Sequence, residues 1–229
     1  MTVPHGAAQP PLTRRKPLIG VAGGIGSGKS TVARALAACA VSAGDPDRAV
    51  IDSDRIAHDV IQSPAVKDQL AAWWGRADTA QGGIFTSDGA VDRRAVARRI
   101  FNAPTERQHL ESLIHPRVAE ARAQRLAQLQ QDPAVTAIVI DSPLLFETGL
   151  NAQCDATIFI HVPQNTRFAR LQATRGWSEN DLLSREKNQL PLEKKQQLAD
   201  YVIDNGGTQA ATLGQVRRVF SQIIEKAHA

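Results

Sequence analysis

Apolar positions along the chain fall into short continuous runs separated by longer amphipathic stretches. Five runs have β-strand character: PLIGVA (17–22), AVIDSD (49–54), TAIVID (136–141), DATIFI (155–160) and YVID (201–204). None alternates strictly between apolar and polar, as expected of strands covered by helices on both faces. Helical patterns separate them, so a parallel sheet with right-handed crossovers is the economical topology. The last stretch is the clearest helix, with Leu213, Val216, Phe220, Ile223, Ile224 and Ala227 recurring on one face.

Two stretches break this alternation. Residues 56–132 contain no convincing strand, and a crossover of that length predicts an inserted helical subdomain over 60–132. Within it Leu110, Leu113, Ile114, Val118 and Ala121 form an apolar stripe, and Pro116 is expected to end or kink the helix. The second stretch, from Arg167 to Lys195, is charged, helix-prone and poor in large apolar residues, which predicts a mobile lid over 167–199. The core then comprises 17–59, 133–166 and 200–229. Residues 1–16, MTVPHGAAQPPLTRRK, are rich in Pro and Ala and predict a flexible arm.

Composition narrows the class. With 229 residues, 42% hydrophobic and 22% charged, the chain suits a globular protein with one core and inserted subdomains. The net charge of +4 owes part to Arg14, Arg15 and Lys16 and favours small anions over nucleic acid. Cys39 and Cys154 lack metal-ligand spacing and predict reduced, buried thiols. No apolar run approaches the ~20 residues of a membrane span, and the start lacks a signal-peptide core. The expectation is a cytoplasmic monomer or small homo-oligomer without membrane or nucleic-acid partners.

The densest chemical signal is GGIGSGKST at 23–31, between the first strand and a helix. Gly23, Gly28, Lys29 and Ser30 satisfy G-x-x-x-x-G-K-[ST], the phosphate-loop spacing. Gly23, Gly24, Gly26 and Gly28 are expected to take positive φ, so that the backbone through Ile25 and Ser27 points N–H groups at an anion. The helix N-terminus adds its partial positive charge. Lys29 would reach the β and γ phosphates, Ser30 would bind Mg²⁺ and Thr31 would meet the α phosphate. The dinucleotide fingerprint fails, because lysine stands where its third glycine belongs. The donor expected is therefore a nucleoside triphosphate with Mg²⁺.

Three classes share this loop. A GTP switch needs N-K-x-D, which is absent, and a motor ATPase needs a paired acidic end where TAIVID runs into Asp141-Ser142-Pro143. A small-molecule kinase needs an acceptor region, a base and a closing lid, and the insert, the Asp52/Asp54 pair and the arginine-bearing flap supply them. Ligands bind at the carboxyl ends of parallel strands. There Asp54 can orient an acceptor hydroxyl, with Asp52 in support, although one of the two can simply cap the next helix. Asp141 can meet Mg²⁺ through water. The alternatives left open are another nucleoside monophosphate or small-metabolite kinase, and an ATP-gated binding protein.

The order GGIGSGKST, IDSD, VDRR, LESLIHP, DSPLLFE, NQLPLEKK and ADYVIDNGG resembles the dephospho-coenzyme A kinases, from about residue 18 to 220. The resemblance implies a P-loop kinase of α/β class: a five-stranded parallel sheet flanked by helices, a helical acceptor insert and a helical lid. It implies ATP-dependent phosphorylation of the ribose 3′-hydroxyl of dephospho-CoA, the last step of coenzyme A synthesis. It makes Asp54 the base, puts Arg93 and His115 on the acceptor side and Glu147 near the active site, and sets Asn205 and Gly206 beside the adenine of ATP. Arg93, Arg94, Arg98 and Arg99 could meet the acceptor's pyrophosphate, and the lid arginines Arg170 and Arg175 would neutralise the transferring phosphoryl group or stack on adenine. Three features depart from the family pattern. The link at 40–48 is long, Arg167 stands where Gln is common, and Arg170 and Arg175 are spaced one residue wide.

Overall fold

The computed structural model describes residues 15–229 apart from Asn102 and Asn188. The predicted arm lies outside the described residues up to residue 14. Lys16 is already tied to the fold, its Nζ donating to the carbonyls of Leu129 (2.8 Å) and Asp132.

The five runs become β1 (Leu18–Gly23), β2 (Val50–Asp52), β3 (Ile138–Asp141), β4 (Ala156–His161) and β5 (Tyr201–Asp204). They form one parallel sheet in the order β2-β3-β1-β4-β5. All six residues of β1 are buried, which explains its unbroken apolar run. Because β1 is central, the glycine loop that follows it opens at the middle of the sheet's carboxyl edge. Register puts Asp52 opposite Asp141 at that same edge. Helix α1 (Lys29–Ala40) buries Val32, Ala33, Leu36, Ala37 and Ala40 in the main core. The long link after it ends in a 3₁₀ turn at Pro46–Ala49, pinned by Arg34 to Asp47 and by Arg48 to Asp132.

The chain leaves β2 directly into α2 (Ser53–Gln62), followed by α3 (Pro64–Trp74), α4 (Arg93–Ile100) and α5 (Pro104–Gln131). These helices enclose a separate core of Ile61, Val66, Leu70, Ile84, Phe85, Val91, Ala95, Val96, Leu110 and Leu113. Helix α2 packs along α5, with Ile56 against the main core and Ile61 in the separate one. Of the two outcomes expected of Pro116, ending its helix is not the one seen: α5 runs through it for 28 residues. Proline at 116 has no N–H for the Ser112 carbonyl, and one residue on the Arg117 guanidinium donates to the Leu113 carbonyl (2.8 Å). Both ends of α5 are committed, Leu110 and Leu113 to the insert's core and Leu129 to the main core, so packing outweighs the local cost.

The lid stretch forms α6 (Gln164–Arg175), α7 (Glu179–Glu186) and α8 (Leu192–Leu198), and α9 (Gln209–His228) closes the chain against α1. The lid is anchored more firmly than its polarity suggested: Arg167, Leu171, Leu182 and Lys195 are buried. No helix among the described residues is long and apolar enough to cross a membrane.

Candidate active site

In the glycine loop, two of the four glycines take positive φ, Gly26 (80°) and Gly28 (77°). Gly23 and Gly24 do not, and are required instead by close approach. A Cβ on Gly23 would stand 2.7 Å from Ser27 Oγ and 3.1 Å from the Ile160 carbonyl. Gly28 begins α1, and neither a side-chain cap nor an acidic residue occupies the first turn. The free N–H groups of this helix start therefore face the cleft with nothing from the protein to neutralise them.

Lys29 Nζ lies 3.0 Å from Asp141 Oδ1, close enough for an ion pair but not aligned as a hydrogen bond. The two carboxylates at 52 and 54 have separate duties. Asp52 caps α2, accepting from the Arg55 N–H (3.0 Å), and lines a cavity of about 560 Å³ with Ser30 and Asp141. Asp54 turns instead into a cleft of about 680 Å³ that it shares with the whole loop 23–31 and Arg93. Although Asp54 reaches solvent, the cleft walls desolvate its carboxyl and raise its pKa. The nearby charges of Asp52 and Asp141 push the same way, and Lys29 and Arg93 oppose them.

The far wall of the cleft is the lid: Arg170, Arg175, Trp177 and Arg185 face the glycine loop. Arg170 donates to the Asn205 carbonyl (2.8 Å). Arg185 was missed by sequence reasoning. It is ten residues beyond Arg175, and only the turn between α6 and α7 brings the two together.

Several predicted site residues stand elsewhere. Glu147 does not line the cleft: it pairs with buried Lys195 (2.7 Å) and accepts from the Leu190 N–H (2.9 Å). Lys195 also donates to the Pro143 carbonyl (3.0 Å) and Gln189 Oε1 (2.9 Å), so it fastens the loop after β3 to the base of the lid. Asn205 buttresses the glycine loop from behind, its Nδ2 donating to the Ser27 carbonyl (2.8 Å). Gly206 lies against Asp204 and Pro163, outside the cleft. His115 lines an apolar trough of about 250 Å³ between α2, α4 and α5, and Arg93 borders both that trough and the cleft. The unusual Arg167 is buried, donating from Nη1 to the Ile25 carbonyl (3.0 Å) and to Glu186 (2.5 Å).

With this geometry in hand, similarity to known proteins becomes informative. The profile of the dephospho-CoA kinase family matches residues 17–211. The chain belongs to the dephospho-CoA kinase family. A dephospho-CoA kinase from Syntrophotalea carbinolica is 36% identical over 210 residues, covering 90% of this chain and 92% of that one. One from Carboxydothermus hydrogenoformans is 35% identical over 208 residues, covering 90% and 94%. The crystal structure of TT1252 from Thermus thermophilus matches with a TM-score of 0.73 at 29% identity, over 91% of this chain and 98% of that one.

A dephospho-CoA kinase moves a phosphoryl group from a nucleotide to a hydroxyl. Among the described residues no group of three or more His, Cys, Asp or Glu side chains forms a metal cage. Mg²⁺ fits without one, since it keeps water and phosphate ligands and takes only one or two from protein. Ser30 and the imperfectly satisfied, buried Asp141 are the residues that suit it.

Proposed function

We propose that the loop 23–31 holds ATP and that Asp54 orients the 3′-hydroxyl of dephospho-CoA for in-line attack. The observation carrying this assignment is that one cleft is lined jointly by the loop, Asp54, Arg93 and the lid arginines. The acceptor oxygen forms a bond to the γ-phosphorus as the bridging oxygen leaves with ADP, and the hydroxyl proton passes to the Asp54 carboxylate. Lys29 leaves Asp141 for the phosphates when the nucleotide enters. Positioning and electrostatics supply most of the acceleration, since phosphoryl transfer asks little covalent chemistry of the protein. Mg²⁺, held by Ser30 and Asp141, would neutralise phosphate charge.

On the acceptor side, Arg93 meets the pyrophosphate and the insert carries the rest of the molecule. Arg94, Arg98 and Arg99 serve less directly; Arg99 already engages Glu106 and lies over the Trp74 ring. Arg170 and Arg175 close over the donor, and closure keeps water from the γ-phosphoryl group.

The test is ADP release coupled to an optical signal, with dephospho-CoA, a panel of nucleoside monophosphates, or no acceptor. Strong stimulation by dephospho-CoA alone is expected. Equal rates without acceptor would leave an ATP-gated binding protein, and preference for a monophosphate would reassign the acceptor site.

A further inference from the structure

Trp177 stands in the short link between α6 and α7, and two guanidinium groups lie against its ring. Arg175, the last residue of α6, is 5.2 Å from the ring centroid, and Arg185, on α7, is 4.4 Å from it. All three side chains line the cleft opposite the glycine loop. The link is not loose: Ser178 and Asp181 form a reciprocal capping box that fixes α7 immediately after the tryptophan. Neither arginine forms an ion pair among the described residues, whereas Arg34, Arg48 and Arg167 each hold a carboxylate.

The charges facing the cleft are unbalanced. Among the described residues Lys29, Arg93, Arg170, Arg175 and Arg185 line it with Asp54 as the one acidic lining residue, and Lys29 alone of the five is paired, to Asp141. Arg170 already serves the Asn205 carbonyl, and Arg93 borders the acceptor trough. Arg175 and Arg185 remain, each over the Trp177 ring and neither in an ion pair among the described residues. A guanidinium is weakly hydrated and stacks well, so a tryptophan can hold it without satisfying its hydrogen-bond donors.

We propose that Arg185 is a phosphate-binding residue, and that Trp177 is the positioning residue that presents Arg175 and Arg185 together to the donor's phosphates. The assignment rests on the kinase function above and names the groups that meet the triphosphate.

The experiment uses the full chain with ATP and dephospho-CoA. Arg185→Met should lower kcat/KM for ATP about 10- to 100-fold, the loss of a charge-assisted hydrogen bond. Arg185→Lys should restore only part, because an ammonium lacks the planar fork. Trp177→Phe should keep most activity, and Trp177→Leu should raise KM for ATP with unchanged thermal stability. In a Trp73→Phe/Trp74→Phe background Trp177 is the sole tryptophan, and its emission should change as ATP is titrated. That change should shrink with Arg185→Met. Wild-type kcat/KM within twofold in Arg185→Met, with an unaltered emission response, would overturn the proposal. Should Arg185→Met fail to fold, Arg185→Gln read by the same two measurements decides. Absence of acceptor-stimulated ADP release in the unmutated chain would instead overturn the kinase function, while the ATP titration would still test Arg185.

Discussion

Lys29 Nζ and Asp141 Oδ1 lie 3.0 Å apart, joining the start of α1 to the end of β3. In the proposed mechanism the pair keeps the phosphate-binding cation beside the carboxylate assigned to the metal. Replacing Lys29 by Met removes the charge that meets the transferring group. Turnover should fall about 10²- to 10³-fold, the usual loss for one preorganised electrostatic partner. Steady-state rates with dephospho-CoA check this, and near-normal turnover would remove the loop from catalysis. Asp141→Asn should raise the Mg²⁺ concentration needed for half-maximal rate; an unchanged Mg²⁺ titration would reduce Asp141 to a holder of Lys29.

On the proposed mechanism Asp54 sets the pH dependence. Desolvation raises its pKa above the ordinary aspartate value, with Lys29 as the chief opposing charge. Only the carboxylate can accept the hydroxyl proton, so kcat should fall as pH drops through the raised pKa. The acid limb of the pH–rate profile should therefore lie above the ~3.9 of an unperturbed aspartate. Asp54→Asn should abolish that limb and lower kcat more than KM. A variant affecting KM alone, with the limb intact, would make Asp54 a binding residue.

Gly28 is held by backbone and neighbour together. Its φ of 77° disfavours a side chain, and an added Cβ would stand 2.5 Å from Asn205 Nδ2. Gly28→Ala should introduce about 1–3 kcal/mol of strain. Expressed in nucleotide binding, that is a rise in KM for ATP of about 5- to 150-fold. Gly44 also has positive φ but nothing within 4 Å, so Gly44→Ala should leave KM unchanged. Equal KM values for both variants would show that the contact with Asn205 does not shape the loop.

Lys195 is fully buried and its ammonium has partners at Glu147, Pro143 and Gln189. Lys195→Met strands the Glu147 carboxylate, a loss of about 3–5 kcal/mol. For a chain of this size that corresponds to a fall in Tm of roughly 6–20 °C. Adding Glu147→Leu to Lys195→Met should recover much of the loss, because removing both charges also removes the desolvation cost. Thermal melts decide; a fall below one degree in the single variant would show that the pair does not hold the loop after β3.

Much of this architecture is legible in local chemistry. Each of the five strands forms within a few residues of its apolar run, the glycine loop joins the first strand to a helix, and the closing helix lies where periodicity puts it. These features depend on neighbours a few residues apart, and glycine, lysine and apolar period encode such neighbours directly. Even the alternative duty considered for the pair at 52 and 54 was readable, though which residue would cap was not.

Other features were decided by contacts between distant segments. Asp54 lines the cleft only because the glycine loop, Arg93 and α6 are packed around the start of α2. Glu147 resembled a site residue until packing set it against Lys195, 48 residues away in sequence. Arg185 became part of the cleft through a turn whose angle no periodicity specifies, and Pro116 was absorbed because both ends of its helix are fixed in separate cores. Composition and spacing establish which groups are available and what each can do. Burial and side-chain partnership, which exist only after the chain has packed, assign each charge to structure or to substrate.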